Sequence, residues 1–124
     1  MKNVIATTEA PGAIGPYSQA IDTGAFVYTS GQLPINPADG TMPADITAQT
    51  RQSLANVEAI LRQAGLTMDN VVKTNVYLAD MADFGAMNSV YQEFFSAPYP
   101  ARSAVAVRTL PKNALVEIEV IAAR

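Results

Sequence analysis

Pro100-Ala101-Arg102-Ser103-Ala104-Val105 and, with its glutamate fifteen residues beyond the arginine, Val116-Glu117-Ile118-Glu119-Val120 read as two strands, each carrying charge. β-branched residues alternating with period two predict extended chain that buries one face. Charges inside such strands need a reason, because strand interiors are poor places for them. A guanidinium offers a forked, bidentate grip on a carboxylate, and a glutamate nearby can orient or deprotonate water. Two readings stand at this point: a small site for a carboxylate-bearing metabolite, or a structural ion pair on a solvated sheet face.

Alternation assigns faces. Ser103, Val105 and Val107 share one side of the fifth strand, which leaves Arg102, Ala104, Ala106 and Arg108 on the other. In the sixth strand Val116, Ile118 and Val120 oppose Glu117 and Glu119. If both valine faces lie under helices, the arginines and glutamates all project from a helix-free face, where a bulge in either strand would reverse the assignment. Such a face, lined with alanine, suits a subunit interface.

Outward from these strands the chain reads βββαβαββ. Val4 and Ile5 predict a first strand and Tyr17 to Ile21 a second, with Asp22-Thr23-Gly24 as the hairpin turn into Ala25 to Ser30. Pro34, Pro37, Gly40 and Pro43 mark a long loop. Asp45 can cap a helix whose apolar stripe runs through Ile46, Thr50, Leu54, Val57, Leu61 and Ala64, and Gly65 stops it. Val71 to Ala79 predicts the fourth strand. A second helix starts near Asp80 or Asp83 with Phe84, Met87, Tyr91 and Phe94 on one face, and Ala97-Pro98-Tyr99-Pro100 breaks it. Arg102 to Arg108 and Leu115 to Ala122 complete the order. The pattern predicts one α+β domain over residues 1–124, with both helices on one face of one sheet.

Composition excludes whole classes of chemistry. The chain of 124 residues has no Cys and no His, so thiolate nucleophiles, disulfides and histidine-based acid–base catalysis are absent from it. A net charge of −3, with eight basic residues scattered along the chain, argues against nucleic acid as the main partner. No apolar run approaches the roughly 20 residues of a membrane span. Met1-Lys2-Asn3-Val4-Ile5-Ala6 lacks the apolar core of a signal peptide, so the expectation is a cytoplasmic protein. Only 15% of residues are charged, low for a small free-standing domain, which suggests burial against further copies of the chain.

The segments Ile14-Gly15-Pro16-Tyr17-Ser18-Gln19-Ala20, Thr29-Ser30-Gly31-Gln32-Leu33-Pro34, Gln52-Ser53-Leu54-Ala55-Asn56-Val57 and Val72-Lys73-Thr74, then Asn88 with Tyr91-Phe94-Phe95, lead up to Pro100-Ala101-Arg102-Ser103 and Val116-Glu117-Ile118-Glu119. In this order the chain resembles the RidA/YjgF family of reactive-intermediate (enamine/imine) deaminases over essentially its whole length. The resemblance implies a chorismate-mutase-like fold with the sixth strand inserted between the third and fourth. It also implies a homotrimer with inward-facing sheets and clefts at the subunit boundaries.

The chemistry implied is hydrolysis of 2-imino acids, such as 2-iminobutanoate and 2-iminopropanoate, to 2-oxo acids and ammonia. No metal or organic cofactor is expected, because the C=N bond is already electrophilic. Arg102 would clamp the substrate carboxylate and Glu117 would orient water and relay protons. Tyr17, Ser30, Gly31 and Asn88 are the further substrate-binding candidates. Ser30-Gly31 is equally a turn, and Asn88 by position alone is an exposed helix residue off the Phe84/Tyr91 stripe. Phe84, Tyr91, Phe94 and Phe95 read as core packing. Many relatives carry a cysteine two positions after the arginine; Ala104 stands here, a departure that bears on pocket size and substrate preference. Two other functions fit the family: a non-catalytic binder of 2-oxo acids, and a ribonuclease or translation inhibitor, which the acidic pI disfavours.

Overall fold

In a computed structural model that describes residues 1–124, one six-stranded sheet carries two helices. The strands are β1 (Asn3–Ile5), β2 (Ala20–Asp22), β3 (Phe26–Thr29), β4 (Val71–Leu78), β5 (Ala101–Ala106) and β6 (Val116–Ala123). The helices are α1 (Ile46–Gln63) and α2 (Phe84–Phe94). The expected order βββαβαββ holds. Spatially the strands run β1-β2-β3-β6-β4-β5, so β6 sits between β3 and β4, and only the β4–β5 pair is parallel.

Local chemistry explains the helix α1. The Asp45 carboxylate accepts from the Ala48 amide at 2.8 Å, satisfying one of the free donors of the first turn. Gly65 ends the helix at φ 78°, a conformation that costs glycine nothing. Leu54, Val57, Ile60 and Leu61 are fully buried and meet Val76, Leu78, Val116 and Ile118 of the sheet in one cluster. Truncating a leucine or isoleucine at such a site costs roughly 2–5 kcal/mol.

The polar residues of α1's buried side fasten the loops. Asn56 donates from Nδ2 to the carbonyls of Leu33 and Ile35, both at 3.0 Å. Gln49 accepts from the Leu115 amide at 2.8 Å and donates to the Pro43 carbonyl at 2.8 Å. These bonds replace water for groups that would otherwise be buried unpaired. They hold the proline-rich loop and the entry to β6 against one rigid helix. No helix is long and apolar enough to cross a membrane.

Two expectations need correction. The second strand begins at Ala20, not Tyr17. Residues before it are held as a loop by the buried Gln19 side chain, which donates to the carbonyls of Thr7 and Pro11 and accepts from the Thr7 amide. The second correction concerns the faces. Glu117 and Glu119 do lie on the helix-free side, opposite the buried Val116, Ile118 and Val120. Arg102, Ala104 and Ala106 do not join them. They pair in register with Thr74, Val76 and Leu78, which are buried beneath the helices, so the alanine face of β5 is on the helix side and Val105 is on the open face. Strand β5 is an edge strand, and its small side chains lie on the side where α2 packs.

Candidate active site

Arg102 enters from the helix side of β5, where it meets α2. Its Nη1 donates to Asn88 Oδ1 at 2.7 Å. Its guanidinium carbon lies 4.6 Å from the ring centroid of Tyr91 and 5.4 Å from that of Phe84. Both distances are within range of a cation–π attraction. Tyr91 is itself fixed: its hydroxyl shares a 2.8 Å hydrogen bond with Thr74 Oγ1, and its ring packs on Phe95 at 4.5 Å. Burial pushes the Tyr91 phenol above its ordinary range, so it stays neutral beside the cation. Asn88, Tyr91, Gln92, Tyr99, Pro100 and Arg102 line a cleft of about 470 Å³.

The sequence reading places Asn88 off the aromatic stripe and gives Tyr91 to the core. In the fold Phe84, Asn88 and Tyr91 stand at i, i+4 and i+7 on one face of α2, and Arg102 lies against all three. The signal was present in that spacing. A tyrosine in an apolar stripe also calls for a partner for its hydroxyl.

Glu117 belongs to the other face. It stands opposite Tyr77 in the β4–β6 ladder, next to the Glu119–Asn75 pair, in which Asn75 donates to Glu119 at 3.2 Å. Burial lifts the Glu117 carboxyl above its ordinary range, and the Glu119 carboxylate beside it acts in the same direction. The backbone of Gly31 presses against Glu117. It is pinned there by reciprocal bonds between Gln32 and Ile118, at 2.7 and 3.2 Å. A Cβ on Gly31 would overlap the Glu117 carboxylate. Gly31→Ala is therefore expected to displace that side chain and lower any Glu117-dependent activity by about tenfold or more, with little change in thermal midpoint. Steady-state kinetics alongside a melting curve check it.

Tyr17 and Gly31 line a second cleft of about 600 Å³, together with Ile14, Gln32, Asn36 and Lys112. The Ser30 hydroxyl donates to the Ser18 carbonyl at 2.6 Å, so it ties the Tyr17 loop to the end of β3. The candidates therefore fall into two groups within one chain. Arg102 and Asn88 form one, on the helix side. Tyr17, Ser30, Gly31 and Glu117 form the other, with Glu117 on the helix-free side. None of the three ion pairs in the chain involves Arg102 or Glu117, so no structural salt bridge accounts for either charge.

Comparison with known proteins follows the same lines. The sequence model of one family, described as Endoribonuclease L-PSP, matches residues 7–124. The chain is 51% identical to a 2-iminobutanoate/2-iminopropanoate deaminase of Escherichia coli K12, an alignment covering 100% of this chain and 99% of the relative. It is 54% identical to a RutC family protein of Haemophilus influenzae, over 100% of this chain and 98% of the relative. A crystal structure of E. coli TdcF with bound serine superposes with a TM-score of 0.96 at 49% identity, covering 99% of each chain.

Proposed function

The chain belongs to the family described as Endoribonuclease L-PSP, the RidA/YjgF family, and from that membership we propose that it hydrolyses reactive 2-imino acids, released by pyridoxal-phosphate dehydratases, to 2-oxo acids and ammonia. One observation carries the reading. The chain holds a guanidinium and a carboxyl, neither neutralised by an ion pair; the guanidinium opens onto one cleft, and the carboxyl is seated against the backbone of Gly31, which lines the other.

In this reading Arg102 takes the substrate carboxylate in a bidentate grip and fixes C2 for attack. Glu117 orients a water molecule and accepts its proton as the oxygen bonds to C2 of the imine. The proton passes to nitrogen, giving a carbinolamine. Glu117 then takes the hydroxyl proton and delivers it to the amino group, so that the C–N bond breaks and ammonia leaves as the C=O bond forms. Water and imine thus balance 2-oxo acid and ammonia, with no electron transfer and no cofactor demanded by the chemistry. A carboxyl whose pKa is raised by burial suits this shuttle, since it accepts a proton from water more readily than an ordinary carboxylate does.

The two groups meet only if a second copy supplies one of them, because they occupy opposite faces of one sheet. A homotrimer with inward-facing sheets provides that arrangement. Exposed Val4, Phe26, Tyr28 and Val105 on the helix-free side give the copies apolar surface to bury. Ala104, on the helix side two residues from Arg102, leaves the site without a thiol and changes nothing in the proposed steps.

The reading is tested by coupling a threonine dehydratase to this protein and following the imine signal. The expected result is a shortened imine lifetime that saturates with substrate. An unchanged lifetime across several side chains would leave only a non-catalytic binder of 2-oxo acids. In the same assay kcat/KM is expected to fall on the acid side as Glu117 takes up its proton. Glu119→Gln removes a neighbouring negative charge, lowers the Glu117 pKa, and so moves that acid limb to lower pH.

A further inference from the structure

Arg102 is held by neutral and aromatic groups alone. Its bonding partner is the Asn88 side-chain amide oxygen at 2.7 Å, and its guanidinium carbon lies 4.6 Å from the ring centre of Tyr91 and 5.4 Å from that of Phe84. Glu93, the carboxylate on the same helix, is engaged by Arg51 at 3.0 Å. A carboxylate in place of the Asn88 amide would grip the guanidinium more strongly, but it would also cancel the charge that an anionic ligand must find. An amide oxygen supplies direction without neutralisation. The aromatic platform contributes in the same sense, because ring quadrupoles attract a cation while leaving its net charge intact.

We propose that Asn88 is a positioning residue: it fixes the Arg102 guanidinium in a ligand-ready orientation while leaving its full positive charge for the substrate carboxylate, and it acts through Arg102 rather than on the substrate. This rests on Arg102 being the carboxylate clamp. Asn88→Asp is then the damaging change, although it is nearly isosteric and keeps a hydrogen-bond acceptor at the same place. The new carboxylate pairs with Arg102 and competes with the ligand. Asn88→Ala removes the direction but keeps the charge, so its effect is smaller and falls on KM more than on kcat.

The experiment titrates the assembled protein with 2-oxobutanoate by NMR, in the parent, Asn88→Ala and Asn88→Asp, and again with each combined with Arg102→Gln. Asn88→Asp is expected to weaken binding by about 10- to 100-fold, and by more than Asn88→Ala. In the Arg102→Gln background either Asn88 change is expected to add little, because the group through which Asn88 acts is gone. If Asn88→Asp fails to fold, the loss of the Asn88→Ala effect in that background carries the same test. Parent-like affinity in Asn88→Asp overturns the inference alone, as does equal weakening in both Arg102 backgrounds. If the parent does not bind 2-oxobutanoate, or Arg102→Gln binds it as the parent does, the clamp itself falls and the inference with it.

Discussion

Arg102→Lys is expected to lower kcat/KM for imine hydrolysis by about 30- to 1000-fold, with most of the loss in substrate binding, which corresponds to roughly 2–4 kcal/mol for a charge-assisted bidentate contact. The positive charge survives this change, so a model in which Arg102 only supplies electrostatic attraction expects a small effect. What disappears is geometry. A lysine ammonium has no planar fork to set beside the Tyr91 and Phe84 rings, and it holds the carboxylate at one point instead of two. The imine carbon then samples orientations that water cannot attack. Glu117→Gln should fail differently. The amide is nearly isosteric and leaves 2-oxo acid binding mostly intact, but it cannot accept a proton from water, so kcat falls. Measuring 2-oxobutanoate affinity and imine turnover for both variants separates the two roles. Parent-like binding and turnover by Arg102→Lys would show that the clamp lies elsewhere.

Activity regained from two inactive proteins is the second large effect. Arg102 and Glu117 lie on opposite faces of the sheet, and in the proposed mechanism each site takes its arginine from one copy and its glutamate from another. Arg102→Gln and Glu117→Gln should each be inactive alone. Dissociated, mixed in equal amounts and reassembled, they should recover about a quarter of the parent's activity, because in a closed ring about one boundary in four pairs two intact partners. Expressing both chains together gives the same result without a refolding step. A mixture that stays inactive, while a mixture of parent and double variant regains activity in proportion to the parent chain, would place both groups in one subunit's site and overturn the intersubunit arrangement. Sedimentation of the parent checks the premise independently. A monomer at micromolar concentration has no boundary at which to build the site.

The amino-acid sequence alone determined the element order, because each element has a local cause. Asp45 and Gly65 bound α1, the stripe from Ile46 to Ala64 orients it, and Val116, Ile118 and Val120 bury one face of β6. The resemblance carried by the ordered motifs from Ile14-Gly15-Pro16-Tyr17 to Val116-Glu117-Ile118-Glu119 added the position of β6 between β3 and β4, which local pattern cannot show, since strand order depends on contacts remote in sequence. Tertiary structure alone decided the face of β5. Period two says which residues share a side but not which side meets the core, and for β5 both sides were plausible: three valine or serine positions against alanines and arginines. Parallel pairing with β4 settled it by setting Arg102 beside the buried Thr74, where α2 offers Asn88 and two aromatic rings. That choice splits the two charged residues between opposite faces and turns what reads along the chain as one site into two halves. Charges in a strand announce themselves in sequence; the face they reach is fixed only when register and packing are chosen together.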